Sequence, residues 1–385
     1  MAEQIVSPGV FTREQDISFI APAPAEVSTA VIGPTVKGPV DIPTIIRSYS
    51  EYQRVFGERF QSGSDYYTHL TAITAEKYFE QGGTSLLTTR VTPEAFTAAS
   101  ATVNQNDGST AALTIETLSE GVIMNNTGST LTGGALESGS IDNIRWEVTG
   151  RNEALGTFTL IVRRGDDTHK NKVILETWSD LSLDPAADNY VAKIIGDSSY
   201  VNDGTSVVES GEYSNNSKYI RISTVNAQLV DYFDNNGTAK SAYTASIPQV
   251  GSGSYDGSFS GATGNIFDTS AQALFYDNIN STNTQGFGVT AGAISDSRYD
   301  NAIAVLSNTD EYNFNVIVTP GLTQADHGTT VGSVIDLVEE RGDAIYVTDL
   351  EAHGATVSQL TTAAQGLNSS YSAAYWPWLK VQAQS

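Results

Sequence analysis

Two β-branched runs flanking a helical stripe near the end of the chain constrain its fold more than any other feature. Residues 313–319 and 344–348 each read as a short buried strand. Between them Val331, Val334, Ile335 and Val338 recur at i, i+3, i+4 and i+7, which puts four apolar side chains on one face of a helix. Pro320-Gly321 reads as the end of the first strand and Gly342 as the stop of the helix. Strand, helix and strand in this order predict parallel pairing with a right-handed crossover. A second helix over about 356–367 and a last strand over 373–376 prolong the pattern.

The chain opens in the same way. A strand over 28–32 is closed by Gly33-Pro34, and an extended run over 44–48 follows. Ser50 is placed to cap a short helix over 51–56, which Gly57 ends. Asp65 is expected to begin another helix, because Tyr66, Leu70 and Ile73 fall at i, i+4 and i+7, with Gly82-Gly83 as its stop. Residues 85–91 read as a buried strand. Ahead of all this, residues 1–28 carry Pro8, Pro22 and Pro24 with little helical periodicity, and read as an extended arm or a disordered tail.

From about residue 95 the composition changes. Residues 96–250 are rich in Ser, Thr, Asn and Gly, with short alternating strands. The plainest is a hairpin, Thr157–Arg164 followed by 172–178 across Gly165-Asp166-Asp167; 113–117, 144–149 and 219–224 are further strands. Asp234-Asn235-Asn236-Gly237 is a turn signal. The α/β pattern returns near residue 270, and no solenoid-type repeat is evident. The fold class is therefore α/β with an inserted β-rich domain and an extended N-terminal arm. The expected divisions are 1–28 for the arm, 29–95 and 251–385 for the two parts of the α/β core, and 96–250 for the insertion, facing outward.

Charge narrows the function classes. The 385 residues include 44 acidic and 20 basic ones, a formal net charge of −24, which disfavours nucleic-acid binding. The acidity either keeps an abundant protein from aggregating or restrains self-association until a template is present. There is no cysteine, so disulfides and thiolate metal sites are excluded, as suits a reducing cytoplasm. No apolar run approaches the ~20 residues that span a bilayer, and Met1-Ala2-Glu3-Gln4-Ile5 lacks the features of a signal peptide.

Candidate chemistry is sparse. His327-Gly328-Thr329 resembles the His-Gly-Thr element of subtilisin-like proteases, which makes a serine hydrolase using His327 the competing function. Gly83-Thr84-Ser85 and Gly204-Thr205-Ser206 both precede His327, whereas the nucleophilic serine of that family follows it. His327 reads instead as a loop residue that helps to start the helix. His69, His169, His327 and His353 show no metal-ligand spacing. Asp166-Asp167 and Glu339-Glu340 read as solvated surface, and Asp107-Gly108, Asp203-Gly204 and Asp256-Gly257 as turns rather than calcium loops. Gly251-Ser252-Gly253-Ser254 reads as flexible, without the lysine of a phosphate-binding loop. No catalytic, cofactor or metal residue is assigned.

A series of short segments resembles the tail sheath protein of contractile-tailed bacteriophages. They are Ser7-Pro8-Gly9-Val10, the run from Ala30 through Gly33-Pro34 to Gly38-Pro39, Arg47-Ser48-Tyr49-Ser50-Glu51-Tyr52, and Val55-Phe56-Gly57. Tyr78-Phe79-Glu80-Gln81-Gly82-Gly83, 87–91, 316–321, 340–345 and 370–381 with Trp376-Pro377-Trp378 complete the series. The resemblance covers most of the two ends and is weakest in the insertion.

It implies a subtilisin-like but non-catalytic core and a structural, non-enzymatic virion protein without cofactors. In that family, subunits stack in helical rings around the tail tube and contract to drive it through the host envelope. Partners implied are further copies of the chain, the tail tube protein, and baseplate and tail terminator proteins, with neither nucleic acid nor membrane insertion. Assembly in the host cytoplasm and residence in the virion tail follow. Ser7, Pro8, Gly9 and Val10 are implied to be an arm passing between subunits. Family members continue past the Pro-Trp segment into a domain facing the tube, and here only four residues follow Val381. A fragment, a truncated product or a variant completed by another polypeptide is therefore expected, soluble and mostly monomeric alone.

Overall fold

The computed structural model describes residues 28–62, 65–124, 142–251, 257–264, 266, 274–290, 293–294 and 298–381. The arm residues Ser7, Pro8, Gly9 and Val10 lie outside these, as do Asp256 and most of Gly251-Ser252-Gly253-Ser254.

Strands from the two ends of the chain meet in one six-stranded sheet. Its order is Ser372–Ala374, Ile345–Asp349, Val316–Thr323, Thr29–Gly33, Leu86–Arg90 and Thr44–Ile46. The first five are parallel, and Thr44–Ile46 closes the far edge antiparallel. Alternation along the strands sorts the side chains. Val31, Ile46 and Leu86 face Tyr52, Phe56, Ala72 and Ala75 of the helices Tyr49–Phe56 and Leu70–Glu80. Ala30, Ile32, Leu87 and Ile317 pack with the helices Arg298–Leu306 and Gln324–Arg341 in a second core. A parallel sheet needs both faces covered, and here helices cover them. Val331, Val334, Ile335 and Val338 are all buried as their spacing predicts, each worth ~1.5–3 kcal/mol. Gly342 ends that helix in the left-handed region at φ 69°.

The Ser/Thr-rich middle forms antiparallel sheets. One orders Ile220–Val225, Ala111–Glu120 and Ala98–Asn104, and the other Ile174–Ser182, Thr157–Arg164 and Ile144–Asn152. Leu113, Ile115 and Ile222 from the first share a core with Val148, Phe158 and Leu160 from the second. A small hairpin, Ser199–Asn202 with Val207–Ser210, stands beside them. The whole is a mixed α/β protein with several sheets. The Asn-Gly turn is present, with Gly237 at φ 76° and its amide donating to the Asp234 carbonyl.

Four local expectations need correction. Asp65 begins a strand, not a helix: Arg59–Ser62 and Asp65–Thr68 form a hairpin, and the helix starts at Leu70. Tyr66 points outward under the Arg59 guanidinium, while Phe60 stacks on Tyr67, so period 2 governs there. Pro320-Gly321 does not end its strand, which runs to Thr323 through an irregularity. Gly321 sits at φ 95°, and its carbonyl accepts from the Ile279 amide. Ser48 rather than Ser50 caps the first helix, its Oγ accepting from the Glu51 amide at 3.2 Å. The last strand is Ser372–Ala374, leaving Tyr375 and Trp376 exposed.

Candidate assembly interface

His327 is fully buried at the turn where the Val316–Thr323 strand becomes a helix. Its Nδ1 accepts from the Thr323 amide at 3.1 Å, and Thr323 Oγ1 accepts from the Asp326 amide at 3.3 Å. Burial lowers its pKa, against the opposing pull of Asp326. These bonds make His327 a brace for the turn rather than a base open to substrate. Ser333, one of the serines downstream, donates back to the Thr329 carbonyl at 3.3 Å. Open parallel sheets usually bind ligands outside the carboxyl ends of their strands. At the end of Val316–Thr323, the chain's own segment fills that place: the Ile279 amide bonds Gly321, and Leu70 bonds Phe275.

The other titratable candidates separate clearly. Among the described residues, no group of three or more His, Asp or Glu side chains is arranged to hold a metal ion. His69 is buried against the rings of Phe60 and Phe275, and His169 and His353 are exposed. Asp107 and Asp203 close turns, each Oδ1 accepting from two following amides; the Thr110 hydroxyl first and then the Ser109 and Thr110 amides hold Asp107 down at about 2, and the Ser206 and Thr205 amides do the same for Asp203. Glu339 and Glu340 are exposed. Asp167 is not the solvated residue its sequence suggests: its side chain is fully buried between Arg163 and Arg145.

What the structure brings together is the set of glycine-bearing segments. Gly38 has φ 111°, and a Cβ there would stand 2.7 Å from the Phe56 ring. Its amide donates to Ser119 Oγ at 2.7 Å, and its carbonyl accepts from Arg90 Nη1 at 2.6 Å. Gly83 lies beneath Tyr78, whose ring a Cβ would meet at 2.3 Å and whose hydroxyl donates to the Ser85 carbonyl. Gly82 provides the preceding turn at φ 92°. Gly38 and Gly83 thus each bring a helix end and a sheet strand together at a distance that leaves no room for a side chain, which only glycine permits.

Among the described residues, two surfaces are open at opposite edges of the six-stranded sheet. Beside Thr44–Ile46, where Ile45 is exposed, a cleft of about 570 Å³ is lined by Pro39, Ile42, Tyr200, Tyr219 and Tyr312. Beyond Ser372–Ala374, Tyr375 and Leu379 are about four-fifths exposed, at 78% and 82%, while Trp378 Nε1 is anchored on the Glu351 carbonyl at 3.0 Å. The sequence showed neither the cleft, whose walls come from residues far apart in the chain, nor the burial of Asp167.

No family model matches the chain, and no curated protein matches it. Solved structures similar to it include two sheath tail proteins. The sheath tail protein of Listeria innocua shares 10% identity at a TM-score of 0.41, over 84% of this chain and 48% of its own. The sheath tail protein of Desulfitobacterium hafniense shares 12% identity at 0.36, over 88% of this chain and 52% of its own. The chain spans about half the length of each.

Proposed function

We propose that this chain forms the core of a tail sheath subunit, a structural protein that packs with its own copies around a phage tail tube. One observation carries the reading. Among the described residues, the segments that resemble tail sheath proteins are scattered from Ala30 to Val381, yet they fall in one sheet, the helices that cover it and the adjoining turns. Ala30–Pro39, 87–91, 316–321, 340–345 and 370–378 supply or adjoin five of its strands, and Tyr78–Gly83 fastens a covering helix. Short matches arising by chance would have no reason to converge in space.

On this reading the sheet is a subtilisin-like scaffold without the chemistry, with 29–95 and 251–385 as its two parts. Residues 96–250 are an insertion on the outside of the assembly, and 1–28 an arm in which Ser7, Pro8, Gly9 and Val10 contact a neighbour. Contraction, passage of the tube through the host envelope, the tube, baseplate and terminator partners, and assembly in the host cytoplasm belong to the same proposal. The test is immunogold labelling of infected-cell lysate with antibody to this chain. Gold spaced along contractile tails is the expected result; label confined elsewhere rejects the proposal. Limited proteolysis within 96–250 should leave the α/β core folded, and collapse of that core after a single cut would remove the insertion from it.

A further inference from the structure

Arg90 is fully buried where the six-stranded sheet meets the antiparallel layer. Its Nη1 donates to two carbonyls, Gly38 at 2.6 Å and Glu120 at 2.9 Å, and its guanidinium lies 5.1 Å from the Phe96 ring centre. The bonds around it tie several elements together. The Asp41 amide donates to the Arg90 carbonyl at 2.9 Å, and the Asp41 carbonyl accepts from Asn202 Nδ2, in the small hairpin, at 3.0 Å. The Glu120 amide donates to Gly38 at 3.3 Å. Asp41 itself is 6% exposed at φ 58°, and its Oδ1 has no hydrogen-bond partner.

We propose that Asp41, Arg90 and Glu120 form a protonation-sensitive joint between the six-stranded sheet and the antiparallel layer, tight while one carboxyl is neutral and loosened when both are charged. The Arg90 guanidinium uses its hydrogen bonds on backbone carbonyls, so neither the buried Asp41 carboxyl nor the half-buried Glu120 carboxyl is ion-paired to it, and a second negative charge there has lost water without gaining a hydrogen-bonded counter-ion. Burial is the larger influence on both acids. It pushes Glu120 up to about 7, with Asp41 and Glu116 adding to the rise while Arg90 and the Val40 amide oppose it. It pushes Asp41 up to about 6, against Arg298, Asn301 and Arg90. Arg90 is itself brought down to about 10 by burial, against Glu120, Asp41 and Tyr52. His69 also feels the Arg90 charge, which helps to keep its imidazole neutral. Carboxyls with raised pKa values take up protons on closing. The joint is therefore tightest below the ordinary carboxyl range of about 4 and loosens progressively as pH rises through about 6 to about 7.

Hydrogen exchange of the whole chain, read by mass spectrometry at about pH 5.5 and about pH 8 and corrected for intrinsic rates, tests this. Segments 36–41, 111–120 and 199–202 should be protected roughly tenfold better at the lower pH, while the Gln324–Arg341 helix keeps one protection at both. Glu120→Gln with Asp41→Asn should hold the three segments at the low-pH protection throughout. Equal protection of the wild-type segments at both pH values overturns the joint. So does a pH dependence that persists in the folded double variant. Should the double variant not fold, the wild-type comparison alone decides.

Discussion

Arg163 grips both oxygens of Asp167, Nε to Oδ2 and Nη2 to Oδ1 at 2.8 Å each, with both side chains fully buried. Arg145 reaches the same carboxylate at 3.2 Å, and the Val173 amide donates to it at 2.9 Å. Glu147 then balances Arg163 on one oxygen and Lys172 on the other, at 2.9 and 2.7 Å. Two strands, Ile144–Asn152 and Thr157–Arg164, and the loop of residues 165–173 are pinned by one largely buried ionic network.

Asp167→Ala should therefore cost ~3–5 kcal/mol, because it takes the shared carboxylate from two fully buried guanidinium groups and leaves Glu147 as the acid facing Arg163. Its neighbour provides the control. Asp166 pairs with Arg164 at the half-exposed loop surface, so Asp166→Ala should cost no more than ~1 kcal/mol. Urea unfolding of the two variants measures the difference. Equal losses would mean that the loop, and not the network, sets the stability.

Gly83→Ala puts a methyl group into the Tyr78 ring, and the residue's neighbours leave the ring nowhere cheap to go while its hydroxyl holds Ser85. A loss of ~1–3 kcal/mol is expected. Adding Tyr78→Ala removes the clash, so the double variant should lose less than the two single losses summed. Simple additivity in thermal melts would exclude the ring as the obstacle.

His69 yields a pH dependence opposite in sign to that of the Asp41–Glu120 joint. Burial, helped by the Arg90 charge, lowers its pKa to about 3, so it stays neutral in the fold while an unfolded histidine titrates near 6.5. Below 6.5 the unfolded chain binds the extra proton, and stability is lost as pH falls from there toward about 3. At pH 5 that amounts to ~2 kcal/mol. His69→Phe keeps an aromatic ring against Phe60 and Phe275 and should flatten this slope in urea midpoints taken between about pH 7 and 5. An unchanged slope would mean that His69 titrates normally.

The residues explain which parts of this fold could be read in advance. Val331, Val334, Ile335 and Val338 were legible because one helix face meets one sheet face, so local period and tertiary burial agree. Tyr66 misled because its spacing to Leu70 and Ile73 fits a helix, whereas Phe60 and Tyr67 needed a hairpin to reach Phe275. The Asp167 network was hidden for a different reason. Ile144, Trp146 and Val148 face the core, and ordinary alternation puts Arg145 and Glu147 toward water, yet the 165–173 loop covers that face too. Gly38 and Gly83 stood out as glycines in recognisable segments, but the rings of Phe56 and Tyr78 that require them are matters of tertiary packing.

Self-association should respond to salt in the direction that the charge balance sets. A formal −24 repels like copies, and screening shortens that repulsion to ~3 Å at 1 M salt from ~10 Å at 0.1 M. The same salt leaves apolar contact intact. Exposed Tyr375, Trp376 and Leu379 at one sheet edge, and the apolar cleft beside Ile45 at the other, are then free to bury area. Sedimentation velocity should show the weight-average mass rising from low to high salt, and the rise should shrink in Tyr375→Ser with Leu379→Ser. A mass that ignores salt would show that charge does not hold the copies apart. A rise unaffected by the two substitutions would move the contact away from the 375–379 edge.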